Sequence, residues 1–207
     1  MPMQMYSLHC HTACASRAFG IRGPKVKAAS KAALAGFTLI ELLITTTIVV
    51  ILLSLAAPAF QVMVMNNRLT GLADSLVNAL NYARGSALKA TVPARVCPVG
   101  APGSTACGTD WSAGWMLVSD PDGSPSLLQR SSAPVAGPAL SATDVNGHSL
   151  ASVSFDSHGL ASTAAHFKIC DARGAAYARS VQTVATGFVQ VGSTPGQAAW
   201  GGALTCP

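Results

Sequence analysis

The sequence predicts an α+β protein in which one long N-terminal helix packs on an antiparallel β-sheet. Three observations predict this fold. Residues 42–67 form an apolar run without charge, a helical apolar periodicity follows to about residue 90, and short apolar runs separated by Gly, Pro, Ser and Asp fill the remainder. With 207 residues, the chain is long enough for one globular domain and an appendage.

The apolar run has the length of a transmembrane helix. Residues 42–57 are rich in Leu, Ile, Val and Thr, and residues 37–40 extend the run on the other side of Glu41. At about 1.5 Å per residue, such a helix crosses the roughly 30 Å hydrocarbon core of a membrane. We therefore expect a transmembrane helix over residues 37–65.

Charge is unevenly distributed along the chain. The formal net charge of +5 is carried by five cations that precede residue 36, namely Arg17, Arg22, Lys25, Lys27 and Lys31. After them, eight cations balance eight acidic residues. Positive charge before a transmembrane helix stays in the cytoplasm. We therefore expect a single-pass inner-membrane protein with a cytoplasmic N-terminus and a periplasmic head (residues 66–207).

The junction between the basic segment and the apolar run differs from an ordinary export signal. Residues 36–43 read GFTLIELL, so a small residue precedes the apolar run and a carboxylate, Glu41, lies inside it. A secretory signal peptide has its small-residue cleavage site after the apolar region. Because a charge inside a membrane costs about 2.5–3.5 kcal/mol on insertion scales, Glu41 is expected to have a partner. A plain anchor that tolerates a Glu near its edge is the alternative.

This stretch resembles the class III signal of type IV prepilins and type II secretion pseudopilins. The resemblance implies that a prepilin peptidase cleaves after Gly36, discarding residues 1–36 as a basic leader, and that the new terminus, Phe37, is N-methylated. It also implies that Glu41 pairs with the terminal amine of a neighbouring subunit during assembly. Pro58 lies where many of these proteins carry a helix-bending proline, because a proline inside a helix removes one backbone hydrogen bond.

Part of the leader superficially resembles a metal-binding cluster, which comprises His9, Cys10, His11 and Cys14. No second half with the spacing of a zinc site follows in the sequence, and a leader would lie in a reducing compartment. We therefore expect no metal and no cofactor.

After the apolar run, the pattern becomes that of an amphipathic helix. Apolar residues recur at steps of three and four, namely Leu69, Leu72, Leu76, Leu80 and Ala83. We expect this stripe to pack on the core of the head and the helix to end near residue 90, because Pro93 follows.

The rest of the chain predicts seven short strands: residues 95–97, 114–119, 126–130, 150–156, 166–170, 178–184 and 188–191. Residues 120–123 read DPDG, in which proline and glycine favour a turn, and Asn146-Gly147 and His158-Gly159 separate later strands in the same manner. The Ser-, Ala-, Pro- and Gly-rich residues 131–142 are interpreted as an irregular loop.

Four cysteines follow the leader and allow three pairings. Cys97 and Cys107 flank a Pro- and Gly-rich loop, whereas Cys170 ends a predicted strand and Cys206 lies near the end of the sequence. We favour the pairs Cys97–Cys107 and Cys170–Cys206, the second of which would tie down the terminal tail. An oxidising compartment would preserve both.

Several motifs of the head resemble the FimT/GspH group of minor pilins and pseudopilins. They are Cys97-Pro98, Cys107, Trp111-x-x-x-Trp115 running into Leu117-Val118-x-Asp120, and Phe167-x-Ile169-Cys170 followed by a C-terminal cysteine. The cysteines favour a FimT-like structural subunit of a type IV pilus over its alternative, a GspH-like pseudopilin of a type II secretion system. The implied partners are prepilin peptidase, other pilins or pseudopilins and an inner-membrane assembly platform.

DNA is a weakly supported partner. FimT-like proteins that bind DNA carry a Gly-Arg-x-Arg stretch on a late strand, whereas residues 187–190 read GFVQ and lack both arginines. Phosphate binding depends on such cations. Lys168, Arg173 and Arg179 are interpreted either as a small basic patch or as a solvated face.

The sequence does not predict an enzyme. The head contains His148, His158 and His166, but no Gly-x-Ser-x-Gly motif, paired carboxylates or phosphate-binding glycine loop accompanies them. Residues 156–159, which read DSHG, fit a turn at the end of a strand better than a catalytic set.

Overall fold

The computed structural model describes residues 36–120, 123–132 and 137–206. The predicted leader up to residue 35, with its His- and Cys-containing cluster, lies outside these residues, as do Pro121 and Asp122 of the predicted turn. The chain divides into two compact units, Met1–Thr46 and Thr47–Pro207.

Helix α1 spans Leu39–Ala90, so it begins in the first unit and continues through the start of the second. By length and composition it can cross a membrane, because an 18-residue window of it has a mean hydropathy of 2.5 and none of that window is buried. Residues 36–38 precede the helix in non-helical conformation.

In the second unit, α1 buries one stripe, which comprises Leu69, Ala73, Leu76, Ala79, Leu80, Ala83 and Ala87. The steps of three, four and one residue follow the helical period, and the alanines allow the backbone of the helix to approach the sheets closely. The helix ends at Ala90, and Thr91 follows with a positive φ of 55°. The predicted stripe and helix end are confirmed.

In the described part of the chain, eight strands form two antiparallel sheets of four strands each. Sheet A has the order β3-β2-β1-β5, and its strands are β1 (Ala94–Pro98), β2 (Gly114–Ser119), β3 (Ser126–Ser132) and β5 (Val153–Phe155). Sheet B has the order β4-β6-β7-β8, and its strands are β4 (Ala139–Thr143), β6 (Ala165–Cys170), β7 (Arg179–Thr183) and β8 (Val189–Val191). The predicted α+β class, with a helix packed on antiparallel sheet, is confirmed.

One prediction about the strands was wrong. Strand β4 occupies residues that were interpreted as an irregular loop, and the end of β3 occupies Ser131 and Ser132 of the same stretch. Burial alternates along β4, where Leu140 and Ala142 are the buried residues. The sequence does not show this alternation, because most of the side chains of β4 are small. Pairing with β6 fixes the conformation instead. Strand β5 is also shorter than the predicted residues 150–156.

The main core lies between α1 and one face of each sheet. At its centre the rings of Trp111 and Phe167 meet edge to face, with centroids 5.2 Å apart. The indole N–H of Trp111 donates to the carbonyl of Leu150 at 2.7 Å, so the polar atom of this buried ring is satisfied. The opposite face of each sheet, called its outer face below, carries a smaller apolar cluster of its own.

Candidate functional site

Thr38 caps the start of α1 beside the predicted processing site. The backbone N–H of Glu41 donates to Thr38 Oγ1 at 3.2 Å, and the N–H of Leu42 donates to the Thr38 carbonyl at 3.1 Å. Thr38 and Glu41 also have the spacing of a capping box. Gly36 and Phe37 stand directly before this cap and are exposed. The sequence that resembles a processing signal therefore also defines where the helix begins.

Glu41 lies in the first turn of α1 and is exposed. The amino end of a helix carries partial positive charge, which suits a carboxylate at this position. Among the described residues, Glu41 takes part in no ion pair. Its carboxylate is thus open to a cation from another molecule.

Hydroxyl groups in the apolar part of α1 are hydrogen-bonded to carbonyls of the same helix. Thr45 and Thr46 donate to the carbonyls of the residues three positions earlier, each at 3.0 Å, and Ser54 does so at 2.7 Å. A hydroxyl bonded in this way needs no water in a hydrocarbon environment. Pro58 lies inside the helix, and the bend expected there remains a prediction.

The outer face of sheet A is covered by a disulfide-closed loop (residues 99–110), called the covering loop. Cys97 of β1 is bonded to Cys107, as favoured from the sequence, and the pair is ten residues apart. Together with Val99, these cysteines pack on Met116 and Val118 of β2. Added Cβ atoms at Gly100 and Gly108 would collide with the carbonyls of Ala106 and Val99, so glycine is required where the loop closes.

The outer face of sheet B is covered by the last part of the chain (residues 193–206), called the tail. Cys170 is bonded to Cys206 across a separation of 36 residues, again the favoured pairing. Leu204 and Ala178 pack beside this disulfide. Ser180 of β7 is fully buried, and its hydroxyl donates to the Gln197 carbonyl at 3.0 Å and accepts from the Ala199 N–H at 2.9 Å.

A histidine and a tryptophan stack where the tail crosses sheet B. The rings of His166 and Trp200 lie parallel, with centroids 4.0 Å apart and an interplanar angle of 4°. Burial lowers the pKa of His166, nearby Lys168 lowers it further, and Asp144 acts in the opposite direction. This pair could not be predicted from the sequence, because Trp200 is separated from His166 by more than thirty residues without a motif.

The three cations considered for DNA have different surroundings. Lys168 is paired with Ser180 and lies on the outer face of sheet B, whereas Arg179 is paired with the buried Ile169 and lies on the core face. Arg173 is held elsewhere, because it donates to Asp171 at 2.7 and 2.9 Å and to Asn66 Oδ1 at 2.9 Å. The different placements do not favour the basic-patch interpretation, which stays a prediction.

The acidic residues near the other histidines shape turns. Asp156 Oδ1 accepts from the N–H groups of His158 and Leu160, each at 2.9 Å, and these backbone bonds lower the pKa of Asp156. Asp144 accepts in the same way from Asn146 and His148, each at 2.8 Å. Within the described ranges, no group of three or more His, Cys, Asp or Glu residues is placed to hold a metal ion.

An exposed apolar helix long enough to cross a membrane, continuing into a disulfide-bonded β head, is the architecture of the class of membrane-anchored proteins. The family model described as "Type II transport protein GspH" matches residues 72–187, which is more than half of the chain. The chain belongs to this GspH family of minor pilins and pseudopilins, a structural family of type IV pili and type II secretion systems. Assembly with other pilins or pseudopilins is implied by the family.

Two crystal structures of the type IV minor pilin FimU from Pseudomonas aeruginosa (strain PAO1) are similar to the chain. The first is 21% identical with a TM-score of 0.49 and covers 64% of this chain and 95% of FimU. The second, in another crystal form, is 20% identical with a TM-score of 0.48 and covers 63% and 98%. No curated protein matches the sequence significantly.

Proposed function

We propose that the protein is a FimT-like minor pilin, a structural subunit of a type IV pilus. The observation that carries this proposal is the start of α1, where an exposed apolar helix with Glu41 in its first turn begins three residues after Gly36. This arrangement supports a product that keeps its membrane helix after processing. In this proposal, a prepilin peptidase cleaves after Gly36, Phe37 is N-methylated and α1 inserts into the membrane as a single pass.

In the proposed topology the basic leader stays in the cytoplasm, the helix lies in the inner membrane and the head lies in the periplasm. The five leader cations support this orientation. The two disulfides support an oxidising compartment for the head. Assembly then proceeds by extraction of the helix into a bundle of similar helices on an inner-membrane platform.

A GspH-like pseudopilin of a type II secretion system is the second candidate, because the matching family is described as a type II transport protein. Deletion of the gene in the native host, followed by complementation, separates the two. We expect loss of twitching or transformation with secretion intact. Loss of exoprotein secretion with intact pili would instead establish the pseudopilin.

The proposed role of Glu41 has a direct test. The carboxylate of Glu41 lacks an ionic partner in the described residues, so in this proposal a neighbouring subunit supplies one. Glu41→Ala should therefore leave cleavage intact and abolish incorporation into filaments. Immunoblotting of sheared filaments and membranes measures both outcomes. Asp74→Asn is a matched control, since Asp74 is an exposed acid farther along α1. Normal incorporation of the Glu41→Ala protein would contradict the pairing role.

Thr38→Ala separates pairing from helix capping. It removes the hydroxyl that accepts from Glu41 N–H but keeps the carboxylate. Loss of such a cap costs a helix about 1 kcal/mol. Thr38→Ala is therefore expected to reduce incorporation partially, whereas an effect equal to that of Glu41→Ala would assign the defect to the helix start.

A further inference from the structure

The edges of the two sheets are protected to different degrees. At the β4 edge of sheet B, the Ser112 hydroxyl accepts from the Leu140 N–H at 3.0 Å and donates to the Leu140 carbonyl at 3.2 Å. These two hydrogen bonds cover β4 at Leu140. At one edge of sheet A, the returning chain covers β5, because the N–H of Ser162 donates to the Ser154 carbonyl at 2.9 Å. Strand β8 has only three residues, and short edges pair poorly with other chains.

Strand β3 forms the remaining edge, and no other described strand pairs with its outer side. It has seven residues, six exposed and one half-buried, whereas every residue of its neighbour β2 is buried. Within the described part of the chain, the backbone of β3 is paired with β2 alone. Leu127 and Leu128 are 44% and 38% exposed. A long edge with apolar side chains is a site for the addition of another strand.

The register of β3 determines what this edge presents. Leu127 is paired with Val118 and Arg130 with Met116, so both side chains lie on the outer face of sheet A, beside the covering loop. They share a face although three residues apart, because a bulge at Leu128 shifts the register. Arg130 donates to the Gly100 carbonyl at 3.2 Å and has no carboxylate partner among the described residues.

We propose that β3 is a docking edge for an extended segment of a different pilin or pseudopilin subunit. The segment carries an acidic residue next to Arg130 and an apolar residue next to Leu127. Backbone N–H and C=O groups in alternation select an extended polypeptide. The guanidinium of Arg130, which has no carboxylate partner among the described residues, selects a negative side chain. This inference rests on the proposed assembly function, to which it adds a second contact besides the helices.

A second copy of the chain fits this edge poorly. Antiparallel pairing of two β3 strands about their centres brings the two Arg130 side chains within cross-strand reach, and like charges there are destabilising. This repulsion disfavours self-pairing, whereas an acidic strand is accommodated.

Photocrosslinking of the full chain in its native host tests the proposal. A benzoylphenylalanine probe replaces exposed Gln129 on β3, and control probes replace Val145 in an exposed turn and Val50 on α1. We expect the probe at residue 129 to capture another subunit in higher yield than the probe at residue 145. Arg130→Glu should lower that yield about five-fold, and an acidic-to-basic change in the captured segment should restore it.

Other outcomes separate this inference from the proposed function. Capture from residue 50 but not from residue 129 would overturn the docking edge and leave the assembly function standing. Capture of a copy of the same chain at residue 129, or equal capture at residue 145, would overturn the edge as well. Capture from neither 129 nor 50 would overturn the assembly function itself. Leu127→Asp provides a second variant, for which we expect the same loss as for Arg130→Glu.

Discussion

The outer faces of the two sheets are both covered by chain that a disulfide holds, but the two covers are built differently. On sheet A, the covering loop closes within ten residues and returns directly to the sheet that it covers. On sheet B, the tail comes from the end of the sequence, and its disulfide spans 36 residues. A local cover is shaped by its own backbone, whereas a distant one depends on side-chain contacts with the sheet.

The contacts agree with this distinction. The covering loop depends on glycines at tight backbone approaches, Gly100 and Gly108, and on the N–H of Gly108, which donates to the Pro98 carbonyl at 2.9 Å. The tail instead depends on a buried hydroxyl, Ser180, and on the ring stack of His166 and Trp200. The tail should therefore respond more strongly to single side-chain changes and to pH.

Removal of the tail disulfide should have the largest effect. A cross-link that closes a loop of 36 residues restricts the unfolded chain by about 4 kcal/mol in the chain-entropy model. Cys170→Ala with Cys206→Ala should lower the free energy of unfolding by that amount, measured by tryptophan fluorescence of the detergent-solubilised full chain in denaturant. Hydrogen exchange should increase mainly in residues 193–206. Unchanged protection there would show that the tail holds without its disulfide.

Removal of the covering-loop disulfide should cost less. The same relation gives about 3 kcal/mol for a separation of ten residues. Cys97→Ala with Cys107→Ala serves as the matched pair to the tail variant, measured under the same conditions. A loss larger than that of the tail variant would contradict the view that the loop is the more self-sufficient cover.

Trp200→Ala should lower the free energy of unfolding by about 2 kcal/mol, because it removes a half-buried aromatic ring and its stack on His166. Leu160→Ala is an exposed apolar control, for which we expect little change. An equal loss in both variants would mean that the stack contributes nothing specific.

The same stack should make the tail sensitive to acid. Since burial lowers the pKa of His166 in the folded protein, the unfolded state binds more protons just below the ordinary value of 6.5. The stabilising contribution of neutral His166 is thus complete above about pH 6.5 and is lost as the pH falls towards its folded pKa. The protection factors of the tail amides, which correct for the intrinsic pH dependence of exchange, should fall in that interval, and His166→Gln should remove this dependence if His166 is its source.

Ser180→Ala should have the smallest effect, a loss of about 1–2 kcal/mol, because the Gln197 carbonyl and Ala199 N–H each lose one partner. Ser162→Ala changes an exposed hydroxyl and is the control. The free energy of unfolding measured in denaturant distinguishes the two. Equal values would show that water replaces the Ser180 hydroxyl beneath the tail.

The sequence predicted the parts of the fold in which apolar residues repeat with a clear period. The stripe from Leu69 to Ala83 marked the buried face of α1, and the apolar run of β2 marked a buried strand with its observed ends, Gly114–Ser119. Strand β4 was missed because Ala and Ser carry no comparable signal, and its conformation depends on β6 and on Ser112, which are distant in sequence.

The candidate sites divide in the same way. The segment around Gly36 and Glu41 was recognised because its residues are adjacent in the sequence. The stack of His166 and Trp200 depends on the path of the tail, and the edge at β3 depends on which strands remain uncovered in the described chain. Neither property can be read from local spacing, because both arise from tertiary pairing.

The hydroxyls of the apolar helix have a consequence for how a subunit changes environment. Because Thr45, Thr46 and Ser54 donate to carbonyls of their own helix, their bonds are the same in lipid as among other apolar helices. Transfer between these two phases then exchanges one set of hydrocarbon contacts for another, with little net free energy. A helix of this kind can move between a bilayer and a bundle of apolar helices without breaking these hydrogen bonds.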